Sequence, residues 1–138
     1  MRFGFDEMHF RLFSCQISDK YHRRYPHFSA SLGFINDYCR RGVILVHCLA
    51  GRYSSCCVFQ DLVILFVELA CRCRSATIVL AHMVACGRLT LLHALTQLHE
   101  MKPDIRPNAV FSQQLLRLEF EVHGKNSMSF VGSKLVPI

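Results

Sequence analysis

The sequence is short of charge and has no paired-cysteine spacing. Only 19% of its 138 residues are charged while 51% are apolar, which excludes a disordered chain and fits one domain with a single core. None of the eight cysteines forms a Cys-x-x-Cys pair, and Cys71 and Cys73 stand too close for the usual zinc ligand spacing. A structural zinc site therefore has weak support. After Met1 there is no basic start leading into an apolar run of signal-peptide length. This argues against a secreted disulfide framework and for reduced thiols, in cytosol or nucleus. Myristoylation and prenylation signals are missing from both ends. The apolar stretch Cys56–Cys71 has 16 residues and contains two acids, too short and too polar to span a membrane. No internal repeat occurs. The formal net charge of +6 suits an acidic partner or a phosphorylated substrate, and does not by itself separate these from nucleic acid.

What is present is organised around Gly42-Val43-Ile44-Leu45-Val46-His47-Cys48-Leu49-Ala50-Gly51. Four consecutive aliphatic residues without alternation suit a strand buried on both faces, as in a sheet with helices above and below. Cys48 then falls at the carboxyl end of that strand, where open α/β sheets bind ligands and where a small-residue turn lets backbone N–H groups converge on an anion. A thiol facing such donors is pushed toward thiolate. Taken alone, a His-Cys pair reads more often as a buried cysteine in a turn.

Before this stretch, Phe10, Leu12, Phe13 and Ile17 fit an apolar strand, with Asp19 directly after it. The basic, aromatic run Tyr21–Pro26 reads as a solvated loop rather than a nucleic-acid contact. Phe28, Leu32, Ile35 and Cys39 fall at helical spacing. Beyond Gly51, the segment with Val58, Leu62, Leu65, Phe66 and Leu69 fits a helix capped by Ser54 or Ser55 and, being rich in Val, Ile and Phe, fits a strand equally well. A helix is predicted over Arg74–Ala85, closing at Gly87 in a left-handed cap. Another begins at Thr90 with the stripe Leu91, Leu95 and Leu98, and His93 and His99 at its margins. Lys102–Pro107 is a proline-pinned connection, after which Asn108 caps a helix with Phe111, Leu115, Leu118 and Val122 on one side. Residues 123–138 read as a loose tail.

Arg74-Ser75-Ala76-Thr77-Ile78-Val79, Pro107-Asn108, Phe111 and Gln114-Leu115, together with His47-Cys48, resemble the dual-specificity branch of the protein tyrosine phosphatases. That family carries His-Cys, five residues, Arg and then Ser or Thr on a phosphate loop between a strand and a helix. Here the two halves are separated. Residue 54 is Ser, and no cysteine has an arginine six residues later; setting aside the 20 residues Tyr53–Arg72 restores the pattern and places Arg74 on the family's arginine. The resemblance implies an α/β fold, a phosphatase-like central sheet with flanking helices, the sheet incomplete at its N-terminal side. On this reading residues 1–122 form the phosphatase-like domain, interrupted at about 53–72, and 123–138 a C-terminal tail.

The resemblance further implies a nucleophile at Cys48, a general acid and base at Asp19, phosphate binding at Arg74, assistance to the departing thiolate by Ser75, and tuning of the thiol by His47. Leu49, Ala50, Gly51 and Arg52 would supply the amides around the phosphate. Its partner would be a phosphoprotein substrate, with neither nucleic acid nor membrane, and the resemblance implies no metal and no organic cofactor. Three readings stay open: a dual-specificity phosphatase that tolerates the insertion at reduced activity, a phosphatase-like module that binds phosphoproteins without turnover, and a splicing or gene-model artefact across Gly51 to Cys73.

Overall fold

The computed structural model describes residues 26–38, 44, 46, 53–59, 62–68 and 74–138. In chain order these form α1 (Pro26–Tyr38), β1 (Tyr53–Phe59), β2 (Leu62–Glu68), α2 (Arg74–Ala85), α3 (Leu91–Met101), α4 (Ala109–His123), β3 (Met128–Val131) and β4 (Lys134–Pro137). The mixture of helix and strand is compatible with the expected α/β class. Among the described residues the sheets are two antiparallel pairs, β1 with β2 and β3 with β4. The strand expected before Cys48 is represented by Ile44, a buried bridge residue, and by Val46, packed against the core. The strand expected near residues 9–17 lies outside the described residues.

The core is built around α2. Its ten residues Ser75–Val84 are all buried, so it has no solvent face, as expected of a run with no acid and no Lys or Arg between Arg74 and Arg88. Packed against it are α1, α3, α4 and β2. From α1 come Phe28 and Ile35, and Leu32 beside them, the helical spacing read from the sequence. Pro26 opens α1, a position where a missing N–H costs nothing. Each fully enclosed side chain such as Leu80 or Met83 contributes about 1.5–3 kcal/mol through burial.

At the end of α2 the expectation needs correction. The N–H groups of Cys86 and Gly87 both bond to the His82 carbonyl, and that of Leu89 reaches back to Met83 O at 3.1 Å. The left-handed residue of this wrap is Arg88, with φ 57°, rather than Gly87. Gly87 is needed for another reason: a Cβ there would lie 2.6 Å from the Met83 carbonyl oxygen, backbone against backbone. Gly87→Ala is therefore expected to destabilise the chain by about 1–3 kcal/mol, read as a lower urea midpoint. An unchanged midpoint would mean that the wrap yields without cost.

The two following helices start on the caps that the sequence suggested. Thr90 Oγ1 accepts from His93 N at 3.3 Å, and Leu91, Ala94, Leu95 and Leu98 are buried. Asn108 Oδ1 accepts from Phe111 N at 2.9 Å, and α4 ends on Gly124 in the left-handed region, φ 73°. The buried face of α4 is rotated from the expected one. Phe111, Ser112, Leu115 and Glu119 are buried, while Leu118 and Val122 are only partly so.

Residues 123–138 are not a loose tail. Met128–Val131 and Lys134–Pro137 pair in register, Met128 with Pro137 through Val131 with Lys134, and Met128 joins the core. Gly132, φ 63°, is the first of the two loop residues, the place that a type II′ hairpin turn reserves for glycine. The hairpin is fastened by Glu119. Its fully buried carboxylate accepts from Leu91 N at 2.7 Å, from Ser127 N at 3.0 Å and from the Ser127 hydroxyl, and Leu92 N in turn donates to Ser127 Oγ. One carboxylate thus ties the start of α3 to the entry of β3, and stands at the positive end of the α3 dipole. Among the described residues, no helix is long and apolar enough to cross a membrane.

Candidate active site

Of the residues expected to form a phosphate cradle, the structure describes Arg74 and Ser75. Arg74 is the first residue of α2 and Ser75 the second, so the arginine and the hydroxyl expected to face a phosphoryl group share the opening turn of the central helix. Ser75 is 7% exposed. That turn carries no acidic residue, leaving the positive end of the helix dipole without a compensating side chain of its own. The other residues singled out from the sequence, Asp19, His47, Cys48, Leu49, Ala50, Gly51 and Arg52, lie outside the described residues.

Between the two halves of the split signature the chain forms strand, not helix. β1 and β2 pair antiparallel from Phe59 with Leu62 out to Tyr53 with Glu68, with two residues between them. Apolar residues stand at consecutive positions in both strands, so the segment fitted a helix and a strand equally well in the sequence. The β-branched and aromatic content decides for strand. β2 lies against α2, so the excursion returns toward the same helix that begins at Arg74.

One buried group was not singled out from the sequence. His82 sits in the last turn of α2, 7% exposed, and among the described residues neither ring nitrogen has a hydrogen-bond partner. Burial lowers its pKa below the ordinary 6.5. Its signal was a histidine inside the apolar run Val79–Ala85, where no solvent face was left for it. By contrast His99 Nε2 meets the Ile105 carbonyl at 2.8 Å and His123 Nε2 the Leu89 carbonyl at 2.9 Å, both in structural roles. Among the described residues no group of three or more His, Cys, Asp or Glu could hold a metal ion.

No family model matches the chain. Curated proteins similar to it include dual specificity protein phosphatase PHS1 of Arabidopsis thaliana, 35% identical over 89 residues, covering 64% of this chain and 7% of that protein. Dual specificity protein phosphatase 18 of Homo sapiens is 40% identical over 60 residues, 44% of this chain and 32% of that protein. Dual specificity protein phosphatase Mpk3 of Drosophila melanogaster is 30% identical over 112 residues, 80% of this chain and 22% of that protein. The matched stretch spans a third or less of each of these three relatives.

Proposed function

We propose, from the premise that this chain is related to the dual specificity protein phosphatases, that it carries a cysteine-based phosphatase site of reduced activity acting on phosphoproteins. Its fold would be a phosphatase-like central sheet flanked by the helices already described. What supports the proposal is the position of Arg74 and Ser75 at the start of α2, whose run Ser75–Val84 is buried, with Ile44 and Val46 packed at the core four and two residues before Cys48 in the sequence.

In this reading the Cys48 thiolate attacks phosphorus. The S–P bond forms as the P–O bond to the substrate's tyrosine, serine or threonine oxygen breaks, and Asp19 gives that oxygen its proton. Asp19, now a carboxylate, takes a proton from water, whose oxygen displaces the sulfur from phosphorus and yields inorganic phosphate. Ser75 stabilises the thiolate as it departs, and His47 orients and tunes the thiol. Arg74 offers two parallel N–H donors to two phosphoryl oxygens, a planar fork that lysine lacks. The amides of Leu49 to Arg52 complete the ring of donors around the charge that builds in the transition state. The chemistry needs a reduced thiol, consistent with cytosol or nucleus.

Acid quenching during turnover of an aryl phosphate tests the proposal. Cys48 is expected to carry one phosphoryl group, detected by mass spectrometry of the peptide that contains it. A quenched enzyme that turns over substrate with Cys48 unmodified would refute the covalent route. The β1–β2 hairpin favours a second reading, a module that binds phosphoproteins without turning them over, because it stands in the sequence between Gly51 and Arg74. Phosphopeptide affinity with no release of phosphate would select it.

A further inference from the structure

We propose that His82 is a proton-sensitive latch on the core: uptake of a proton by its enclosed ring releases α2 from the helices packed around it. The geometry carries this. The ring belongs to the buried run Ser75–Val84, is itself 7% exposed, and has no hydrogen-bond partner at Nδ1 or Nε2 among the described residues. A neutral imidazole tolerates such a place at the cost of unmade hydrogen bonds, whereas an imidazolium adds an unpaired charge in an apolar interior.

Relief would have to come from a neighbouring charge, and among the described residues the elements against α2 place none in a hydrogen bond to the ring. On α1 the titratable residues are His27 at its start and Asp37 and Tyr38 in its last turn; Asp37 is exposed and Tyr38 stacks on Phe34. On α3, His93 and Glu100 are exposed and His99 is bound to Ile105 O. On α4, Arg117 pairs with Glu121 at the surface, Glu119 is engaged by Leu91 and Ser127, and His123 meets Leu89 O. On β2 the charged residue is Glu68, at its end. His82 hydrogen-bonds to none of them.

The direction of the effect follows from linkage. Because burial holds the folded value below 6.5, the unfolded chain takes up a proton that the folded one refuses as the pH drops through that range. The stability that the neutral ring allows is complete above about 6.5 and is lost progressively toward the lower folded value. The proposal concerns packing and holds whether or not the site at Arg74 turns over substrate.

Urea unfolding of the full chain and of His82→Phe at about pH 8 and pH 5.5 tests it. The unfolding constant is expected to rise between the two conditions more in the natural chain than in the variant, by up to about tenfold, the remaining histidines cancelling in the comparison. Equal rises in both overturn the proposal. Should the variant not fold, histidine-labelled NMR of the natural chain decides: an assigned His82 ring that titrates below its ordinary value in the folded chain supports the latch, and one that titrates at that value ends it.

Discussion

Excising residues 53–72 is expected to raise the hydrolysis of an aryl phosphate by about 10²–10³-fold over the natural chain, and Cys48→Ser to remove the turnover of both. The excision rejoins Arg52 to Cys73, so that five residues again separate Cys48 from Arg74 and Ser75 follows directly. The magnitude comes from geometry rather than from chain entropy. Closing a 20-residue excursion costs only roughly 2–3 kcal/mol, and here the β1–β2 pairing supports that closure. A donor or guanidinium misplaced by about 1 Å costs on the order of 100-fold, however, and the loss of one preorganised donor about 10²–10³. The measurement is kcat/KM for the two chains, with circular dichroism to verify that α2 and its neighbours have formed in the shortened one. Equal, Cys48-dependent rates would show that the natural loop already meets the geometric demand.

Glu119→Ala is expected to cost about 3–5 kcal/mol of stability, the larger part from the Leu91 N–H, which would be left buried without an acceptor. Two further donors, the amide and hydroxyl of Ser127, lose the same partner, so the entry to β3 loosens together with the start of α3. Glu119→Gln keeps the shape and one acceptor oxygen but turns an N–H₂ toward a donor, and should fall between the two. Urea unfolding measures the loss, and hydrogen exchange at Ser127 and Met128 shows whether it is local to the hairpin. A cost below about 1 kcal/mol for the alanine variant would mean that water replaces the carboxylate and that the network is not what fastens residues 128–137.

The parts of the fold legible in the sequence are those whose signals are local. Thr90 and Asn108 announce helix starts within three residues of the amides they cap, and Phe28, Leu32 and Ile35 mark a face by spacing alone. The β3–β4 hairpin was not legible. Its strands have four residues each, and its anchor, Glu119, is eight residues from Ser127 and 28 from Leu91. A signal did exist, since Glu119 continues the spacing of Phe111 and Leu115 and so stands where an apolar residue was due. Gly87 was legible as a helix end, although the reason lay in the approach of a backbone oxygen rather than in φ. Of the candidate site, the pairing of Arg74 with Ser75 at the head of α2 was legible because the run after it has no polar face to interrupt a helix.

The opposition of Tyr53 and Glu68 in the β1–β2 register has a topological consequence. Partners across an antiparallel ladder stand about 5 Å apart at Cα, so the polypeptide departs and comes home almost to the same point. The ribbon is a side branch with a narrow stem, and another hairpin with an equally narrow stem could be grafted in its stead while its neighbours kept their spacing.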